Sequence, residues 1–280
     1  MFFAGQNKYF GTIEESTKFW KELGLNHLMI KPDSPNFELI DEQGRLQIEN
    51  IKKLSKQQRE FEVEYHFHPY NMKANKKIMQ AASTETNSIL EKMLKELDQA
   101  MQDYGFYDLI TLHISRVVHP KYNINMDEEE TIQRSADFFQ NLNLKTRIAL
   151  ETMYDPYMNL RSPGTYLLGN KPEHFKRVIG QEKNIGICID IGHLNMSRTS
   201  VKEITDLPYP IYSVHLHGND MQRDTHLLPY YETIRDFEGI IDAIKICEGP
   251  VVIELSTKFQ PQTKQGIKNC LEFWERVIEV

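Results

Sequence analysis

Eight short runs rich in β-branched and aromatic residues recur along this chain, most of them separated by longer stretches of helical period. Read as strands, they are Phe2–Gly5, His27–Lys31, Phe61–His68, Asp108–Ser115, Arg147–Glu151, Ile185–Asp190, Ile211–Leu216 and Pro250–Leu255. Helical periodicity marks Thr12–Leu23, Ser83–Tyr104, Asp127–Leu142, Pro172–Ile179, Phe237–Ile246 and a final stretch Gln262–Ile278. Thr12 and Glu15 have the spacing of a capping box, which fixes one helix start. Strands that alternate with helices pair in parallel, because each crossover returns the chain to the same end of the sheet. Eight such units in 280 residues fit one closed α/β barrel, (β/α)8, forming a single domain over residues 1–280. A doubly wound open sheet is the alternative.

About 40% of the residues are hydrophobic, enough for a sizeable core. The formal charge is −7, from 33 basic and 40 acidic residues, so no basic surplus advertises nucleic acid. The carboxylate excess suits a site that balances cationic metal. Cys188, Cys247 and Cys270 form no CxxC pair, which argues against a disulfide framework or a thiolate zinc site and makes the cytosol the default. Residues Met1 to Gly5 lack the basic region and apolar run of a signal peptide. No apolar stretch approaches the roughly 18 residues of a membrane span. The expectation is a cytoplasmic protein without a membrane partner. Neither GxGxxG after the first strand nor GxxxxGK[ST] is present, which disfavours nucleotide binding.

In a barrel of this kind the loops that follow the strands build the site, so polar residues at strand C-termini carry the chemistry. Seven of the ten histidines fall there: His66, His68, His113, His193, His215, His217 and His226. His27, His119 and His174 do not. Glu151 and Glu254 each close an apolar run, where an unpaired carboxylate is costly to bury and a bound cation would supply its partner. Imidazole with carboxylate is the ligand chemistry of zinc, manganese or iron(II) rather than calcium. Each residue alone has a plainer reading. A single histidine at a strand end is commonly a hydrogen-bonded core or surface residue. Glu254 could pair with a lysine and Glu151 with an arginine. Asp190 and His193 could cap a helix. Met153, Met158 and Met196 read as gap-filling side chains. These plainer readings would have to hold independently at six strand ends.

Two segments carry a family resemblance. Cys188-Ile189-Asp190-Ile191-Gly192-His193 is similar to a D-x-x-H motif after strand six. The segment from His215-Leu216-His217 through Asn219-Asp220 to Asp224-Thr225-His226 is similar to H-x-H-D-N-D…D-x-H, and Asp236-Phe237-Glu238-Gly239 fits its continuation. With Glu151 and Glu254 ending strands five and eight, the chain resembles the xylose-isomerase-like TIM barrels. That superfamily includes sugar and sugar-phosphate isomerases and epimerases and endonuclease IV (AP endonuclease family 2). The resemblance runs from strand three onward. In the isomerase branch it implies one metal held by Glu151, Asp190, His215 and Glu254, with the two glutamates moving protons. In the endonuclease IV branch it implies three zinc ions on His68, His113, Glu151, Asp190, His193, His215, Asp224, His226 and Glu254. His66 is a substitute for His68, because the family histidine usually stands two residues before the proline, where this chain has Phe67.

The chain also departs from the pattern. Gly218 replaces a common Asp, so a supporting carboxylate is expected to be missing. Pro229-Tyr230-Tyr231-Glu232 replaces a Gly-x-Gly turn, and Glu151 to Asp155 lacks the glycine-rich turn of endonuclease IV. His113 precedes Ile114-Ser115-Arg116 rather than Pro-Gly. These differences favour a divalent-metal-dependent isomerase or epimerase acting on a sugar, sugar phosphate or related polyol, with one to three zinc or manganese ions. Glu151 and Glu254 would be the acid/base pair, and His193, His217 and Arg223 would contact substrate. Arg116, Arg161 and Arg223 are candidates to neutralise a phosphate or carboxylate, or are plain surface charges. The alternative is a multi-zinc phosphodiester hydrolase acting on abasic DNA, with Tyr70 and Asn71 on a penetrating loop; nucleic acid is a partner only in that case. A non-catalytic binding barrel has little need of so many ligand-type residues at one mouth. Homo-oligomers are common among such barrels, although no interface signature stands out.

Overall fold

A computed structural model describes residues 2–7, 11–31, 37–256 and 263–279 of the chain. Eight strands close a barrel: β1 (Phe2–Gln6), β2 (His27–Ile30), β3 (Glu64–Phe67), β4 (Leu109–Leu112), β5 (Arg147–Glu151), β6 (Ile185–Asp190), β7 (Ile211–Leu216) and β8 (Pro250–Ile253). Each pairs in parallel with its two neighbours in sequence, and β8 closes on β1 through Phe3 beside Val251. The closed ring excludes the open-sheet alternative.

Helices α1 (Ile13–Glu22), α2 (Ile48–Phe61), α3 (Asn87–Tyr104), α4 (Glu128–Asn141), α5 (Pro172–Ile179), α6 (Ile191–Asn195), α7 (Val201–Thr205), α8 (Phe237–Ile246) and α9 (Lys264–Glu279) make the crossovers and the outer layer. The Thr12 and Glu15 capping box forms as expected. α5 and α8 begin and end where the periodicity predicts. α3 starts at Asn87 rather than Ser83, because the Ser83 hydroxyl accepts from the Glu85 and Thr86 amides and holds a turn there. The expected start of the last helix, Gln262, lies outside the described residues.

The largest departure is α2, which runs into the segment expected to open strand three. Phe61 ends the helix, Glu62 caps it in the left-handed region at φ 51°, and β3 begins only at Glu64. Beyond β4, the expected strand also stops early. Arg116–His119 leaves the barrel and pairs antiparallel with Tyr166–Leu167 and Ile124–Asn125, which builds a small sheet on the loops beyond β4 and β5.

Alternation along each strand divides the interior from the outer layer. Tyr65 and Phe67 pack outward in the main apolar core, together with Trp20, Phe139, Phe175 and Trp274. Full burial of a Leu- or Phe-sized side chain contributes roughly 1.5–3 kcal/mol, so this shell dominates stability. The inward set on β3 is His66 and His68. His66 lies deeper, its Nδ1 2.7 Å from His27 Nε2. Below them the ring of His27 packs on Phe2 and on Tyr107, 4.8 and 4.6 Å between centroids, and plugs the far end of the barrel. Among the described residues, no helix is long and apolar enough to cross a membrane.

Candidate functional site

The site follows from the same alternation. Glu151 and Asp190 are the last residues of β5 and β6. His215 stands one residue before the end of β7, in register with Asp190. Lys31, His68, His113 and Glu254 follow the ends of β2, β3, β4 and β8. Each stands at or just past a strand end, so the barrel itself fixes most of the cluster, while His193 comes from α6 and Asp224 and His226 from the loop after β7.

Glu151 is the hub. Its Oε2 lies 3.0 Å from both His68 Nε2 and His113 Nε2, and its Oε1 lies 3.4 Å from His193 Nδ1 and 3.6 Å from His215 Nδ1. His215 Nδ1 is also 3.2 Å from Glu254 Oε1 and 3.7 Å from Asp190 Oδ2. His226 bridges Asp224 at 3.2 Å and Glu254 at 3.3 Å. His193 Nε2 reaches Asp224 at 3.7 Å. His217 Nε2 reaches Asp190 Oδ1 at 3.0 Å, and its ring stacks on His226 at 3.9 Å. All nine expected ligand residues therefore belong to one connected network, with His217 as a tenth member. Four triads within it bring ligand atoms within 4.8 Å of one another: His68, Glu151 and His215; Glu151, Asp190 and His193; Asp190, His217 and Glu254; and His217, Asp224 and His226.

The atoms converge without completing one another. Glu151 Oε2, Glu254 Oε1, Asp224 Oδ1 and both nitrogens of His215 are buried and lack an aligned hydrogen bond, despite the short distances. His68 shows why. Its Nδ1 is 3.0 Å from the Thr111 carbonyl, which can only accept, so Nδ1 carries the hydrogen. Burial, outweighing Glu151, lowers its pKa to about 4, so near neutral pH the ring has one hydrogen and Nε2 is a bare lone pair. That lone pair faces a carboxylate oxygen at 3.0 Å. Two lone pairs at this distance repel unless a cation lies between them or beside them. The same backbone anchoring recurs at His193, whose Nδ1 is 2.8 Å from the Thr152 carbonyl. This is the arrangement that aims the remaining nitrogen of a metal-binding imidazole. The donor set and its orphaned atoms fit a divalent ion.

Protons carry part of the compensation among these groups. Burial opposes charge on every member, but the carboxylates outweigh it and raise His193 to about 10 and His226 to about 9. Asp190 is lowered to about 2: burial opposes the shift, and His193 and His217 overcome it. Glu151 and Glu254 are held well below the usual carboxylate range, the former by His113 and His68 and the latter by Lys31 and His215, in each case against burial.

Lys31 is a member of the cluster that the strand-end reading passed over. It is 5% exposed, and its Nζ hydrogen bonds Glu254 Oε2 at 2.8 Å. Its ammonium also lies 5.1 Å from the centre of the Tyr70 ring. The signal was present, since Lys31 closes the second strand and a lysine partner for Glu254 was one of the plainer readings. Likewise Asp190 does cap a helix, accepting from the His193 amide at 2.8 Å, while its other oxygen faces His215 and His217. Capping the helix leaves Asp190 free to face the two imidazoles.

Other sequence candidates separate clearly. His66 turns to His27, so His68 is the strand-three histidine that meets Glu151. Arg223 forks onto Asp220, its Nη2 2.6 Å from Oδ2, with over half its side chain exposed. No contact among the described residues joins Arg223 to the cluster. His217 is wholly buried among the ligand-type groups rather than on an open wall. Met153 and Met196 pack with Tyr154 and Leu167, as gap-filling residues do. A β-carbon at Gly218 would lie 2.0 Å from Thr233 Oγ1, so Thr233 occupies the space of the expected carboxylate. That hydroxyl also accepts from the Tyr230 amide and ties the Pro229–Glu232 segment to the mouth in place of a glycine turn.

The sequence matches the family described as xylose isomerase-like TIM barrel over residues 18–276. No curated protein matches it. Solved structures of the same fold include a D-tagatose 3-epimerase-like protein, 18% identical with TM-score 0.69, covering 100% of this chain and 98% of that one. D-psicose 3-epimerase from Clostridium cellulolyticum H10 is 11% identical with TM-score 0.69, and 99% of each chain is covered. An E. coli 3-keto-D-glucoside 4-epimerase is 15% identical with TM-score 0.67, covering 99% of this chain and all of that one.

Proposed function

Because the chain belongs to the xylose isomerase-like TIM barrel family, we propose that it is a divalent-metal-dependent isomerase or epimerase acting on a sugar, sugar phosphate or related polyol. The observation that carries the metal is the bare His68 Nε2 facing Glu151 Oε2 at 3.0 Å within a network of four carboxylates, three of them buried. Glu151, Asp190, His215 and Glu254 are the central holders, and zinc or manganese suits their mixed nitrogen and oxygen donors. Such an ion supplies Lewis acidity at a substrate carbonyl and its neighbouring hydroxyl. The named activities of the solved structures above, all sugar epimerases or epimerase-like, support the substrate class.

Glu151 and Glu254 both approach Nδ1 of one imidazole, His215, at 3.6 and 3.2 Å. Both carboxylates are ionised near neutral pH, so either can accept the proton on carbon next to a carbonyl. Return of that proton from the same carboxyl to the adjacent carbon moves the carbonyl, whereas inversion requires the opposite glutamate to take a proton from solvent first and deliver it to the other face of the carbon. Lys31 holds the Glu254 carboxylate in place, and Tyr70, packed on His68 and His113, shields the cluster from water. The test is a panel of ketoses, aldoses and their phosphates in deuterated water with the metal-loaded protein. Deuterium should enter the substrate at the carbon beside the carbonyl, and Glu151→Gln and Glu254→Gln should each abolish it. Undiminished exchange in either variant would overturn the acid/base assignment.

A second reading has its own support. The complete nine-donor network is what a three-zinc phosphodiester hydrolase needs, with abasic DNA as substrate. Three zinc ions per chain and cleavage of abasic DNA would favour it over sugar chemistry.

A further inference from the structure

We propose that Arg116 anchors a subsite at the barrel mouth for an anionic terminus, phosphate or carboxylate, of the molecule whose carbonyl end reaches the Glu151 and Glu254 cluster. This deepens the sugar isomerase reading and rests on it.

The three arginines singled out in the sequence differ sharply in their surroundings. Arg223 is neutralised by Asp220. Arg161 is exposed, and its Nη1 donates to the Asp224 carbonyl at 3.5 Å. Arg116 is only 7% exposed, yet no carboxylate among the described residues pairs with it. Its guanidinium donates to Asn71 Oδ1, one of five donors committed to a neutral acceptor. A buried cation without a counter-charge is expensive, and here burial lowers its pKa with only Tyr154 and Tyr122 opposing. The neighbourhood adds positive charge rather than cancelling it. Lys73 and Lys121 lie 4.9 and 5.4 Å from the Tyr122 ring centre, and no carboxylate pairs with either among the described residues. In a chain of net charge −7, three cations without a carboxylate partner among the described residues call for an anion from outside.

Its position fits a substrate that spans both groups. Arg116 lies three residues beyond His113. Its partner Asn71 follows Tyr70, whose ring is 4.9 Å from that of His68 and 5.7 Å from that of His113. On the other side, Tyr154 packs its ring 5.3 Å from His193. Tyr70 and Tyr154 thus link the surroundings of Arg116 to the cluster through aromatic contacts. A guanidinium fork is the side chain best matched to two oxygens of phosphate or carboxylate.

Calorimetric titration of the chelated, full-length protein with glycerol 3-phosphate, glycerate and glycerol tests the subsite without metal. At least one anion should bind tenfold or more tightly than glycerol, and the tighter of the two identifies the terminal group. Arg116→Gln should remove that preference. Arg116→Lys, which keeps charge but loses the fork, should weaken it three- to tenfold, and it decides the matter if Arg116→Gln does not fold. Absence of any anion preference in the wild type, or its survival in Arg116→Gln, would overturn the proposal. Metal uptake by the same protein is read separately. Metal bound without anion preference rejects the subsite alone, whereas Arg116-dependent anion binding without metal uptake rejects the reading of the cluster.

Discussion

The Lys31 ammonium lies 2.8 Å from each oxygen of the Glu254 carboxylate, and both side chains are almost fully buried. An ion pair at this depth is held by the strands rather than by its own energy, because desolvation offsets most of the attraction. Breaking it from one side is different, since the remaining charge stays buried.

Lys31→Met should therefore destabilise the metal-free protein by about 3 kcal/mol. The unpartnered Glu254 should then bind a divalent ion more tightly, so added metal restores more of the melting temperature than in the wild type. Thermal unfolding with chelator and with zinc checks both halves. Equal metal rescue in the two proteins would show that Lys31 does not compete for Glu254.

Metal uptake should release protons. His215, the imidazole among the four central holders, is pushed well above the usual histidine range by Cys188 and Glu254 against burial, so it is charged near neutral pH without metal and must lose a proton to become a ligand; His193, raised to about 10, and His226, raised to about 9, would add to the release if they hold further ions. Affinity should rise with pH across the range from 6 to about 9. Calorimetry of zinc binding in buffers of different ionisation enthalpy measures the number released, with one or more expected at pH 7.

Gly192 is the one residue that fits beneath His217. A β-carbon there would stand 1.8 Å from His217 Cε1. Gly192→Ala should push the imidazole away from Asp190 and lower metal affinity at least tenfold, while the far-ultraviolet dichroism is kept. Competition with a chromophoric chelator reads the change.

His174 gives a pH signature outside the cluster. Its Nδ1 accepts from the Gly169 amide, and burial lowers its pKa to about 4. The folded value lies below the unfolded one, near 6.5, so the neutral ring stabilises the fold above pH 6.5. That contribution is lost as the pH falls from 6.5 towards 4, by an amount on the order of 2–3 kcal/mol. Urea unfolding of the wild type and His174→Leu at pH 7 and pH 4.5 isolates it. The gap between the two proteins should narrow at the lower pH.

The barrel was legible because its strands are short and apolar and alternate with helices, and β5, β6 and β7 run between the residues expected. α2 was missed because its buried face mixes Ile51 and Leu54 with Ser55 and Gln58, which blurs the apolar period. Histidines and carboxylates at strand ends revealed the cluster, since period-two alternation carries them all to one mouth. The choice between His66 and His68 was open because both point inward, and only the depth of His27 separates them. Lys31 stayed hidden for a different reason. It closes the second strand, but its partner is 223 residues away, so nothing local tells which lysine meets Glu254. Arg223 and Arg116 looked alike in sequence, and only the tertiary placement of Asp220 and Asn71 tells them apart.

The most direct test is the metal content of the protein purified without chelator, by elemental analysis against protein concentration. One divalent ion per chain, zinc or manganese, is expected for the isomerase or epimerase, and it should be lost in Glu151→Gln. A chain that carries no metal and takes up none on titration would contradict the ligand assignment of these histidines and glutamates, and with it the proposed chemistry.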